Sequence, residues 1–199
     1  MITYPQALQR LIKEFSRLPS IGEKTAARLA YNLITKNKDL ANSLADSLKH
    51  AAQTVKLCGE CFFLAENNLC SICQNANRDS SIICVVEKPM DVIAIERMSE
   101  FKGLYHVLHG LWAPLRGQSA DSMKVNELLN RIKKGGIAEV ILATGSTVEG
   151  DATAMYIARS LSELGIKTTR PAQGIPKGAE LEYADDLTLS RAFSARNII

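Results

Sequence analysis

The 199-residue chain has no apolar run near the ~20 residues needed to cross a bilayer, so no membrane span is expected. It opens on "MITYPQALQRLIKEF", which is amphipathic and carries both charge signs; that excludes a signal peptide and fits a cytoplasmic protein. It has no repeat of fixed period and no low-complexity tract. No GxxxxGK[ST] loop occurs, which argues against ATP hydrolysis. Histidines number three, His50, His106 and His109, and no Ser/His/Asp constellation surrounds them. They read as surface or packing residues rather than catalytic bases.

Net charge is only +3, but it is unevenly placed. Residues 1–57 hold nine Lys/Arg against four acids, and the remainder holds fifteen against seventeen. A basic end on a near-neutral body suits a polyanion partner, although an ordinary solvated surface gives the same count.

Apolar spacing predicts a helix over residues 6–17, a second through "EKTAARLAYNLI" after the break at Pro19, and a third in "LANSLADSLKHAAQTV" after a break at Asn37–Asp39. From Ser81 strand and helix patterns alternate. "SIICVVE", "LYHVL", "AEVILAT" and "KTTRPA" read as strands, with helices between them. This grammar predicts a parallel α/β sheet. The tail "ELEYADDLTLSRAFSARNII" reads as a short helix or an extended arm, with Asp185 and Asp186 structural. The expected segments are a helical region 1–56, a cysteine segment 57–76, an α/β domain 80–175 and a C-terminal oligomerisation arm 176–199.

"CGECFFLAENNLCSIC" carries Cys58-x2-Cys61 and Cys70-x2-Cys73. Two-residue gaps let both thiolates of a pair face one ion, and a hairpin in the eight-residue link would join the pairs. That is the spacing of a closed, four-thiolate, structural zinc site. A redox pair or a disulfide is the alternative. Paired motifs and the expected compartment disfavour both. Cys84 lies in an apolar strand and reads as core.

"LPSIGEKTAARLA" resembles a helix-hairpin-helix motif, with Leu18, Ile21, Gly22, Ala26 and Leu29 in place and Ser20 where a first glycine is usual. Gly22 would admit a phosphate close to the backbone, next to the N–H groups of the following helix. Lys24 and Arg28, four apart, share a face and would grip DNA without reading sequence. A plain helical hairpin is the bland alternative.

The strand-end acid Glu87, Asp91 four residues on, and the "VEGD" acids Glu149 and Asp151 after a later strand follow the order seen in Toprim domains. There such acids gather Mg2+ for phosphate chemistry. Helix-hairpin-helix, four-cysteine and Toprim segments in this order make the whole chain resemble the bacterial RecR family. The matching stretches are "LPSIGEKTAARLAYNLI", "CGECFFLAENNLCSIC", "VVEKPMDVIAIE", "GLYHVLHG", "TVEGDATAMYIARSL" and "GIPKGAELEYADDLTL". Ser20, His109 and Gly145-Ser146 depart from the usual family text, where glycine, glycine and Asn-Pro are expected.

The resemblance implies a non-enzymatic recombination mediator, nucleoid-associated, that forms dimers or tetrameric rings on single- or double-stranded DNA. It implies partnership with RecO, and in some lineages RecF, in loading RecA onto single-stranded DNA. It places Lys24, Arg28 and Gly22 toward DNA, and Glu87, Asp91, Glu149 and Asp151 on an acidic partner-binding face. Whether that face takes Mg2+ is left open. Two rival readings stand beside it: a Mg2+-dependent Toprim enzyme of primase or nuclease type, and a zinc-stabilised protein-interaction module without DNA contact. The enzyme lacks room for additional domains and has no supported catalytic tyrosine. The module sits badly with the basic N-terminal end.

Overall fold

A computed structural model describes residues 4–113 and 123–196. The chain divides into two compact units, Met1–Val55 and Lys56–Ile199.

The first unit is helical: α1 (Gln6–Ser16), α2 (Glu23–Thr35) and α3 (Lys38–Thr54). Pro19 has no N–H to continue α1 and disfavours helical geometry at Leu18, so the chain turns there. α1 and α2 close on a seam of Ile12, Ala26 and Ala30, flanked by the partly buried Leu8, Leu11, Phe15 and Ile21. Alanine at both α2 positions lets the two backbones approach. The second break is shorter than the sequence predicts, since α3 already starts at Lys38, directly after Asn37.

In the second unit, β1 (Lys56–Leu57) and β2 (Leu64–Ala65) pair antiparallel, and a one-turn helix α4 (Ser71–Gln74) follows. Then come β3 (Asp79–Val86), α5 (Pro89–Glu96), β4 (Gly103–Val107), α6 (Val125–Lys133), β5 (Glu139–Leu142), α7 (Val148–Ser162) and β6 (Lys167–Thr169). A 3-10 turn (Leu181–Tyr183) leads to α8 (Asp186–Ser194). The sheet order is β4-β3-β5-β6, with every pairing parallel.

Side-chain alternation divides the core in two. Ile83, Val85, Val140 and Leu142 pack with Val125, Leu128 and Ile132 of α6 and Ala154, Ile157 and Leu161 of α7. Cys84, Val86, Tyr105 and Val107 face the other way, onto Val92 of α5 and onto Phe62, Phe63 and Ile72 of the cysteine segment. β3 is thus apolar on both faces, as a central parallel strand must be.

The order also fixes where a site can lie. From β3 the chain crosses to β4 on one side, then returns to β5 on the other. Glu87 and the loop before α7 therefore sit at the carboxyl ends of two adjacent strands with diverging connections, the place where open α/β sheets bind ligands.

Candidate zinc site, nucleic-acid interface and acidic loop

The Sγ atoms of Cys58, Cys61, Cys70 and Cys73 all lie within 4.8 Å of one another. All four thiols are free, and the Cys61 and Cys70 sulfurs are 3.5 Å apart. Tetrahedral Zn–S bonds of ~2.3 Å require sulfur separations of roughly 3.8 Å, so the cluster fits zinc. Cys58, Cys61 and Cys70 are buried and Cys73 is half-buried, and four thiolates would fill a tetrahedral shell with no position left for a catalytic water. The β1–β2 hairpin brackets the first cysteine pair, whereas the spacing predicts a hairpin within the link between pairs, and α4 carries Cys73.

Backbone N–H groups point at two of the sulfurs. Cys70 N–H points at Cys58 Sγ (3.3 Å) and Cys73 N–H at Cys70 Sγ (3.5 Å). Burial opposes ionisation of Cys58, but N–H groups of Cys61, Cys70 and Glu60 outweigh it and bring the thiol down to about 7. Cys61 is pushed upward by its hydrogen bond with Cys73, by burial and by charge repulsion. Cys70 is pushed up to about 11, by burial first and by neighbouring thiols in part. Four thiolates this close need a cation between them, and a structural zinc supplies it.

The cysteine segment docks on the sheet edge. Val107 N–H donates to Cys61 O (2.8 Å), and His109 Nε2 lies 2.7 Å from Phe62 O. Phe62 meets His106 edge-on, with ring centroids 5.3 Å apart, and lies under Lys124 Nζ at 5.1 Å. Arg131 of α6 donates to Tyr105 O (2.7 Å) and pairs with Glu60 at 3.7 Å. His106 is wholly buried, with Nε2 2.7 Å from the Lys124 carbonyl, and burial brings its pKa down to about 4. It is a packing histidine.

In the helical unit, Gly22 is the residue ahead of α2, with φ −78°, and an added Cβ there would meet nothing within 4 Å. The fold itself does not require glycine at 22. Lys24 and Arg28 are exposed on one face of α2 and border one cleft. Ser20, in the turn, has φ +65°.

The acids at the sheet's carboxyl edge are held differently from one another. Glu87 Oε1 pairs with Lys88 Nζ at 3.0 Å. Asp91 Oδ2 accepts from Lys88 N–H (2.8 Å) and so caps α5. Glu149, Gly150 and Asp151 lie inside the first turn of α7, not in the loop ahead of it, with Thr147 Oγ1 accepting from Gly150 N–H (3.1 Å) as the cap. Gly150 is demanded by the fold, because a Cβ there would sit 2.0 Å from Gly145 O. Asp151 is bracketed by Arg170 (2.8 Å) and by Arg191 of α8 (2.7 Å). Partial burial works to raise its pKa, but hydrogen bonds and charge from both arginines outweigh it and lower it.

Among the described residues the four cysteines form the one cluster of three or more Cys, His, Asp or Glu with ligand atoms so close, and Glu87, Asp91, Glu149 and Asp151 form none. Nothing in the sequence singles out Arg170 or Arg191, since neither stands in a motif and α8 folds back across 40 residues to reach Asp151.

A helical hairpin, a four-cysteine zinc finger and a Toprim-type parallel sheet in one chain define a zinc-stabilised Toprim protein of the kind that handles nucleic acid. Family models agree segment by segment: the RecR helix-hairpin-helix at residues 8–52, the RecR four-cysteine zinc finger domain at 55–75, the Toprim domain at 81–172 and the RecR C-terminal segment at 174–197. The chain is 46% identical over 196 residues to "Recombination protein RecR" of Clostridium perfringens, covering 98% of each. It is 45% identical over 199 residues to the protein of that name from Desulfatibacillum aliphaticivorans, covering 100% of each. The chain belongs to the RecR family. No helix among its described residues is long and apolar enough to cross a membrane.

Proposed function

We propose that this chain is a non-catalytic recombination mediator. It acts as a clamp-like oligomer on DNA, and with RecO, and RecF where present, it helps RecA load onto single-stranded DNA. The full-length relationship to proteins named for recombination carries the recombination role. The DNA role is supported by Lys24 and Arg28 on one exposed helix face beside Gly22. Linked copies would multiply these individually weak phosphate contacts.

The state of Asp151 favours a scaffold over an enzyme. Two guanidiniums already occupy the carboxylate that a Toprim catalyst would turn toward a divalent cation, and such charge-assisted pairs hold their geometry well. The same edge, with Glu87, Asp91 and Glu149, is the proposed RecO face. A basic partner there competes with Arg170, Arg191 and Lys88 for the acids. Docking is therefore coupled to the seat of α8.

The test is Glu149→Lys combined with Asp151→Asn. Co-sedimentation with RecO should be lost while DNA affinity is kept. The reverse pattern would show the faces assigned backwards. Robust Mg2+-dependent nuclease or primer-synthesis activity, abolished by Glu87→Ala, would restore the enzyme reading.

A further inference from the structure

The exposed face of α2 carries more than phosphate contacts. Lys24, Arg28 and Tyr31 recur at helical spacing, and all three are exposed, while Ala26 and Ala30 on the buried side close the seam with α1. A stripe with this period usually holds the apolar residues that face a core. Here it is cationic and aromatic. Tyr4 comes in from the other side, its carbonyl accepting from the Gln9 side chain of α1. Tyr4, Lys24, Arg28, Tyr31 and Lys36 border one cleft of about 610 Å3, and no acid among the described residues lines it. Tyr4 is 55% and Tyr31 52% exposed, so neither ring is spent on the core.

Three cations and two open aromatic faces around one groove match a ligand with both negative charge and unpaired flat rings. We infer that this cleft is a single-strand-selective DNA site, in which Tyr31 and Tyr4 stack on unpaired bases while Lys24, Arg28 and Lys36 hold the flanking phosphates. A duplex offers the phosphates but keeps its base faces occupied, so it gains only the cationic part. Stacking is indifferent to base identity, so the site needs no sequence preference. The inference rests on the reading of this hairpin as the DNA-contacting segment and adds the discrimination between DNA forms.

The experiment measures fluorescence anisotropy of an oligothymidylate and of a duplex of equal length with the full chain. Three proteins are compared: parent, Tyr31→Leu, and Lys24→Glu with Arg28→Glu. Tyr31→Leu keeps the bulk of an exposed side chain and leaves the α1–α2 seam intact. It should bind the single strand about ten-fold more weakly and the duplex as the parent does. The charge variant should lose both. Equal loss of single strand and duplex by Tyr31→Leu overturns the stacking role, and so does an unchanged single-strand affinity. A change in oligomer mass by light scattering would make Tyr31 an assembly residue and overturns it too. If the charge variant binds both forms like the parent, the hairpin reading itself fails, which is a different result.

Discussion

Single residues show why some family positions are glycine. Ser20 and His109 stand where the family text has glycine, and both have left-handed backbone, φ +65° and +59°. A Cβ in that region costs about 1–2 kcal/mol. At His109 part of that is offset by the contact of its ring nitrogen with Phe62 O. The Ser20 hydroxyl has no such contact among the described residues to offset the strain. Ser20→Gly should therefore stabilise the helical unit by up to ~1 kcal/mol, less the added entropy of an unfolded glycine. Urea denaturation checks this, and a lower midpoint would contradict it. The sequence alone shows the departure from glycine, but the sign of φ that gives the departure meaning comes only from the folded turn. Asp151 is the opposite case. Its acid-x-acid context is legible, but its environment depends on Arg170 and Arg191, which reach it only after β6 and α8 are in place.

Among elements, the zinc segment is the most legible, because thiolate chemistry needs a fixed local spacing and "CGEC" with "CSIC" supplies it. Its mounting is not legible. Phe62 and Phe63 look like filler between cysteine pairs, yet Phe62 lies between His106 and Lys124, and the Cys61 carbonyl extends the hydrogen bonding of β4. Zinc binding is thus folding energy for this segment and holds an edge strand of the sheet covered. Chelating the metal should free the Val107 amide, whose acceptor is Cys61 O, and speed its hydrogen exchange by on the order of a hundred-fold, the loss of ~2.7 kcal/mol of local protection. Amides in the middle of β3, paired on both sides, should stay protected. Equal protection at Val107 with and without zinc would show that the finger docks independently of its metal. The tail pattern allows a helix or an arm; residues Asp186–Ser194 form the helix α8, whose Arg191 pairs with Asp151 of α7.

For the whole molecule, the strand–helix alternation makes the parallel sheet legible, since buried β-branched runs separated by amphipathic helices admit few other folds. Its order, with β3 and β5 adjacent, is not written in any local pattern, and that order brings Glu87 and the α7 loop to one edge. The same holds for function. The chain combines a basic hairpin, a closed metal site with no catalytic position, and an acidic edge whose Asp151 is tied up by arginines. These are the parts that the proposed mediator uses: the hairpin for DNA, the closed zinc site for folding and the acidic edge for a partner.

The most direct measurement is DNA affinity as a function of salt for the parent and for Lys24→Glu with Arg28→Glu. The parent's log affinity should fall linearly with log salt, and the double variant should bind far more weakly, with its slope reduced by about two for each copy engaged. An unchanged affinity with an unchanged slope would remove this face of α2 from DNA contact and contradict the account at its centre.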